Sequence, residues 1–113
     1  MHEADKMGRI TTERVIEELK KLKKYFSNVY EIDKMLLFGS RARNDELFSS
    51  DVDVIVVSND FKSIPFKQRP DKFLDNWKLP IDLEIICYSP QEFKRKLKEY
   101  GIVRQANKDG ILI

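Results

Sequence analysis

Apolar residues recur at steps of three and four near the start of the chain: Val15, Ile16, Leu19, Leu22, Tyr25, Phe26 and Val29. That spacing predicts an amphipathic helix. Thr11 or Thr12 can cap it and Glu13 opens it, with Lys20, Lys21, Lys23 and Lys24 on or near the wet side. Ile32 to Phe38 then reads as a strand, Gly39-Ser40 as a turn and Arg41 to Leu47 as a short helix, with Ser49-Ser50 as punctuation. Val52 to Val57 is a near-continuous β-branched run, which predicts a strand buried on both faces.

Asn59 to Pro65 is expected as a loop, and Phe66 to Trp77 as helical, with a break at Pro70 and with Phe73 and Trp77 packed in the core. Pro80 introduces a third strand, Ile81 to Tyr88. Ser89-Pro90-Gln91-Glu92 is a helix start: a serine cap, proline at the first helical position and a glutamate that closes a capping box. Phe93, Leu97 and Tyr100 form the expected buried stripe of that helix, and Gly101 stops it. Ile102 to Asn107 reads as another helical turn and Gly110 to Ile113 as a last short strand. The alternation predicts an α/β (α+β) fold, a mixed sheet of three to four strands packed against helices.

At 113 residues the chain suits one domain, here expected to span 1–113. Apolar residues at 42% and charged residues at 35% fit a globular chain rather than a disordered one. Lys and Arg (21) nearly balance Asp and Glu (19), so bulk charge gives no strong nucleic-acid signal and phosphate must be handled locally. One cysteine, Cys87, permits no internal disulfide; an intracellular, cytoplasmic setting is expected, with Cys87 a core thiol. One histidine, His2, excludes a His-rich zinc site or an internal Ser-His-Asp triad. No apolar run reaches the roughly 20 residues that span a bilayer, so no membrane is expected as a partner.

Asp51 and Asp53 change this picture. Positions two apart on a strand share a face, so both carboxylates emerge together from a Val/Ile run. Unpaired buried carboxylates are costly, and each anion worsens the other. Divalent cations remove that cost, and hard oxygen ligands suit Mg²⁺ or Mn²⁺. The alternative is that both lie at the strand's entry and face water. Gly39-Ser40 follows an apolar strand and precedes a short helix, where backbone N–H groups, a serine hydroxyl and an absent Cβ can cradle phosphate. Alone, the same pair is an ordinary turn. Asp82 and Glu84 share one face of the next strand, and either could supply a third carboxylate. Three such groups can hold two metal ions around a hydroxyl and a triphosphate.

Together, Leu37-Phe38-Gly39-Ser40-Arg41-Ala42-Arg43 and Asp51-Val52-Asp53-Val54-Ile55-Val56-Val57, with ten residues between Ser40 and Asp51, resemble the signature of minimal nucleotidyltransferases of the polymerase β-like superfamily. The resemblance covers about Thr11 to Phe93. It implies a polymerase β palm-like fold, metal ligation by Asp51 and Asp53, and triphosphate binding by Gly39 and Ser40, with Arg41 and Arg43 at the family's basic positions. Asn44 stands where many relatives have glycine, and asparagine tolerates the same left-handed backbone. The Cys87-to-Phe93 segment favours Glu84 as the third carboxylate, whereas the apolar-Asp-apolar pattern equally permits Asp82.

The implied activity is transfer of a nucleoside monophosphate, AMP if ATP is the donor, to a hydroxyl with release of pyrophosphate. By resemblance, small members act as the antitoxin of a HEPN-type ribonuclease toxin and adenylylate a toxin tyrosine. About 25 residues follow the third strand, so acceptor recognition is expected from a partner or a homo-oligomer. A non-catalytic nucleotide- or toxin-binding module and an antibiotic-modifying nucleotidyltransferase are the alternative readings.

Overall fold

The structure is a computed structural model, and it describes residues 10–43 and 51–113. Helix α1 spans Thr12–Phe26, and Thr11 caps it by accepting from the Arg14 backbone N–H. Strand β1 spans Ile32–Phe38 and β2 spans Val52–Ser58. Two single 3₁₀ turns, Asn59–Ser63 and Phe66–Gln68, lead to a short helix α2, Asp71–Asp75. Strand β3 spans Leu83–Tyr88, helix α3 Pro90–Leu97, helix α4 Ile102–Asp109 and strand β4 Ile111–Leu112.

These strands form one mixed sheet in the order β3-β2-β1-β4. Strand β1 runs antiparallel to β2 and β4, whereas β2 and β3 are parallel. The β-branched run therefore sits in the middle of the sheet and is buried on both faces, as its composition predicts. Alternation splits it cleanly. Val52, Val54 and Val56 face the layer that holds Val15, Leu19, Leu22 and Phe26 of α1. Ile55 and Val57 face the opposite layer, with Phe93 of α3 and Val103 and Ala106 of α4. An α+β sandwich of helix, sheet and helix results.

The first layer is closed by aromatic rings. Phe26 and Phe73 lie 4.5 Å apart, and Tyr30 packs 5.2 Å from Phe61. Such pairs add about 0.5–1.5 kcal/mol beyond area burial. Trp77 packs on the edge of this core, and its indole N–H donates to the Ile81 carbonyl. Cys87 is buried, and burial pushes its thiol up to about 12, which makes it an inert core group.

Several local expectations shift. Tyr25 and Val29 are half exposed rather than part of the α1 stripe; α1 ends at Phe26, so Val29 lies beyond its last turn. Tyr100 is 93% exposed because α3 ends at Leu97, and its ring instead stacks under the Arg104 guanidinium. The single helix expected over Phe66 to Trp77 is broken into a 3₁₀ turn and α2, with Pro70 at the cap of α2. Asn59 to Ser63 is a 3₁₀ turn rather than an open loop, seeded by Ser58 Oγ accepting from the Asp60 N–H. Arg41 to Arg43 forms a turn, and the rest of the helix expected to Leu47 lies outside the described residues, as do Asn44 and Ser49-Ser50.

The capping box at Ser89 forms as its sequence predicts. Its Glu92 has a second task. Buried Arg69 donates to Glu92 Oε1 at 2.6 Å, to the Ile64 carbonyl and to the Cys87 carbonyl. One guanidinium thus ties the α2 approach to the end of β3 and the start of α3. Its partner's carboxyl is held below the usual range, chiefly by that hydrogen bond. Arg69→Ala should destabilise the protein by about 3 kcal/mol, measured by urea denaturation, because it leaves two carbonyls without their donor and Glu92 without its charged partner. A loss near zero would place the tie outside the fold's stability.

Candidate active site

The parallel register of β2 and β3 sets the site. Asp53 stands directly beside Glu84, and Val52 beside Leu83. The Val52 N–H donates to the Asp82 carbonyl, so the same ladder runs back to bring Asp82 abreast of Asp51. Strand alternation carried back from Asp53 and Glu84 puts all four acids on one face, with Asp51 and Asp82 just before the two strands begin. Both candidates for the third position therefore lie on the same face. Glu84 is abreast of the half-buried Asp53, whereas Asp82 and Asp51 lie one step nearer the end; all but Asp53 are exposed.

Asp53 is the pressed group. Burial raises its carboxyl from 3.8 to about 6, followed by hydrogen bonding and repulsion from Glu84 and repulsion from Asp51. Adjacent anions that leave water resist joint ionisation. Across the sheet Asp53 also meets Phe38 of β1, the residue before Gly39. Gly39 adopts φ +80°, and a Cβ there would lie 2.5 Å from Asp53 Oδ2. The glycine is needed twice, for its left-handed backbone and for the approach of the turn to the carboxylate. Its carbonyl accepts from the Ala42 and Arg43 N–H groups, which closes the turn.

Gly39, Arg43, Asp53 and Glu84 line one cleft of about 640 Å³. Ser40 adjoins Gly39 and is half buried, outside the cleft lining. Arg41 points elsewhere: it is 1% exposed, and its Nη1 donates to the Ile10 carbonyl at 2.5 Å. The cleft also takes in residues that sequence reasoning passed over. Ile102, Gln105 and Asp109 of α4 form one wall, and Pro70 and Leu74 approach from α2. The spacing of Ile102, Gln105 and Asp109 at three and four marks one helix face, a signal that was present but had no obvious destination.

The donor set suits a hard divalent cation, since Asp51, Asp53 and Glu84 offer only carboxylate oxygens. Among the described residues, no three acidic, cysteine or histidine side chains converge closely enough, as they stand, to enclose an ion. The chemistry of the donors fits a metal; the enclosure is incomplete.

Comparison with known proteins decides the family. The model of the polymerase beta nucleotidyltransferase domain matches residues 20–113. The chain belongs to this family. Among curated proteins, it is 34% identical over 86 residues to the "Putative protein adenylyltransferase" of Methanocaldococcus jannaschii, covering 74% of this chain and 84% of that one. Among solved structures, it is similar to a crystal structure from Sulfolobus solfataricus titled as "a putative nucleotidyltransferase". That match has a TM-score of 0.63 at 19% identity and covers 99% of this chain and 87% of the other. At that identity the likeness speaks for the nucleotidyltransferase fold.

Two predictions follow from the geometry. Gly39→Ala should lower stability by about 1–3 kcal/mol in thermal denaturation, from the positive φ together with the Asp53 contact; an unchanged melting point would show that the turn relaxes freely. Asp53 also makes stability depend on pH. Its raised carboxyl favours the folded state fully below pH 3.8, and that contribution is lost as pH rises through about 6. In cation-free buffer Asp53→Asn should therefore stabilise the protein above pH 6, by about 1 kcal/mol after allowing for solvent screening, and change little near pH 4. Equal stability of the two proteins at pH 8 would contradict this.

Proposed function

We propose that this protein is a metal-dependent nucleotidyltransferase that moves AMP from ATP to a hydroxyl on a partner protein. The observation that carries the reading is the register that sets Asp53 beside Glu84 and under the Gly39 turn. Family membership supports the reaction class, and the name of the methanogen relative supports protein adenylylation. The resemblance to minimal nucleotidyltransferases supplies a HEPN-type toxin as the candidate partner, which would make this chain the antitoxin.

In this reading Asp51, Asp53 and Glu84 would hold the divalent cation, Mg²⁺ or Mn²⁺. The bound cation would neutralise phosphate charge and favour an ionised acceptor hydroxyl. The chain's own residues do the rest. Gly39, with no Cβ, lets the turn approach the Asp53 carboxylate, and Ser40 adds a hydroxyl donor for phosphate at the same turn. Arg43, on the cleft wall, balances the triphosphate's charge. In this reading Glu84 accepts the acceptor's proton as its oxygen attacks the α-phosphorus. The bond from that phosphorus to the bridging oxygen breaks, and pyrophosphate leaves. We assign the third carboxylate to Glu84 over Asp82 because Glu84 is the one abreast of Asp53 and in the cleft.

The test uses α-³²P-ATP, Mg²⁺ and the product of the adjacent gene. Label should appear on the partner, and Asp53→Asn or Glu84→Gln should reduce transfer about 10²–10³-fold, the loss of several kcal/mol of charge stabilisation. Asp82→Asn should change it far less. Absence of both label transfer and nucleotide binding would refute the enzymatic reading. Full neutralisation of the partner by Asp53→Asn would favour a binding module instead.

A further inference from the structure

Strand β3 is an edge of the sheet, and the cleft runs along it. Four consecutive residues, Leu83, Glu84, Ile85 and Ile86, line the cavity. Successive side chains on a strand point to opposite faces, so a run of neighbours can share one cavity only where the cavity follows the backbone edge. The hydrogen bonds say which backbone groups lie there. Asp82 turns its carbonyl to Val52 of β2, so by alternation Glu84, Ile86 and Tyr88 also direct N–H and C=O toward β2. Leu83, Ile85 and Cys87 direct theirs outward. The outward Cys87 carbonyl is taken by Arg69. The outward groups of Leu83 and Ile85 have no partner among the described residues.

Leu83 and Ile85 are themselves largely buried, but they line the cleft, and an unpaired edge two residues long with Glu84 between the two is complementary to one kind of ligand: an extended polypeptide backbone. We propose that the acceptor docks as an added strand on β3, pairing with Leu83 and Ile85 and presenting its hydroxyl side chain to Asp53 and Glu84. The chemistry rests on the nucleotidyl-transfer reading; the docking does not. The acceptor oxygen bonds to the α-phosphorus, its proton passes to carboxylate, and pyrophosphate leaves with the electrons of the broken bridging bond.

The surroundings specify the strand further. One face of the added strand meets the carboxylates. The other meets Pro70, at the cap of α2, and Leu74 of α2, which belongs to the α1 side of the sheet through Phe73. The hydroxyl residue should therefore be flanked by apolar residues. Of the two positions two away, which share its face, one approaches exposed Asp51 and Asp82 and the other Ile86, so lysine or arginine is favoured at the Asp82 end, and the test peptide carries lysine at both ends to allow either strand direction. A second copy of β3 fits poorly. An antiparallel self-pair that uses both Leu83 and Ile85 sets Glu84 against Glu84, and like charges directly opposite are destabilising.

The test is amide hydrogen exchange on the ¹⁵N-labelled protein with the peptides Ac-Lys-Val-Xaa-Val-Lys-amide, where Xaa is tyrosine, threonine or serine, at millimolar concentration. At least one peptide should slow exchange at Leu83 and Ile85 by about ten-fold or more while Glu84 and Ile86, already bonded to β2, stay unchanged. N-methylation of both valines, or of the central residue alone, should differ, one abolishing protection and the other keeping it, according to strand direction. No protection at Leu83 and Ile85 by any peptide would overturn the proposal, as would equal protection by both methylated forms. So would protection that grows with protein concentration in the absence of peptide, which would put a second copy on the edge. Protection without transfer of label from ATP upholds the docking and counts against the nucleotidyl-transfer chemistry, so the two claims fail separately.

Discussion

The parallel pairing of β2 with β3 is the constraint on which the rest of this protein turns. It sets Asp53 against Glu84 at the sheet's end, where burial and like charge act on the same carboxyl. A protein shaped for stability alone would place apolar or amide groups there. The unfavourable pair is maintained by a strand whose other residues are among the most deeply buried of the chain, with Val52, Val54, Ile55 and Val56 fully enclosed. Each such side chain contributes about 1.5–3 kcal/mol of burial, enough to hold the carboxylates in an arrangement they would not adopt alone. This is strain located at the site and compensated in the core.

Everything near the pair is arranged to approach it closely. The β1 strand brings Phe38 across from Asp53 and then turns at Gly39, where a single added carbon would collide with the carboxylate. Helix α4 supplies the far wall, and the Arg69 tie fixes the opposite end of β3 to α3. The site is thus held from three directions by elements that pack on different faces of the sheet. The edge of β3 that lines the cleft is where a second molecule can approach the carboxylates.

Much of this was legible in the residues. The β-branched run announced the central strand, Ser89 to Glu92 announced a helix start, and the spacing of Asp51 and Asp53 announced a shared face. What the sequence could not supply was register. Nothing in Ile81 to Tyr88 says whether Asp82 or Glu84 comes abreast of Asp53, because pairing is fixed by the packing of whole strands. Arg41 and Arg43 are two residues apart in one turn and read alike, yet one is buried on the Ile10 carbonyl and the other lines the cleft. Arg69 carried no local signal, since its three acceptors come from three separate segments. Tyr100 has the spacing of a stripe residue, but α3 ends at Leu97 and leaves it exposed.

The central claim is that the carboxylates paired by this register need a divalent cation, and the most direct measurement is the melting temperature against Mn²⁺ concentration at pH 7.5, with a non-hydrolysable ATP analogue present. A ligand that binds the folded state raises stability by mass action. The pairing of Asp53 with Glu84 predicts a saturable rise in melting temperature that is lost in Glu84→Gln and retained in Asp82→Asn. A melting temperature indifferent to Mn²⁺, or a rise undiminished in Glu84→Gln, would contradict it.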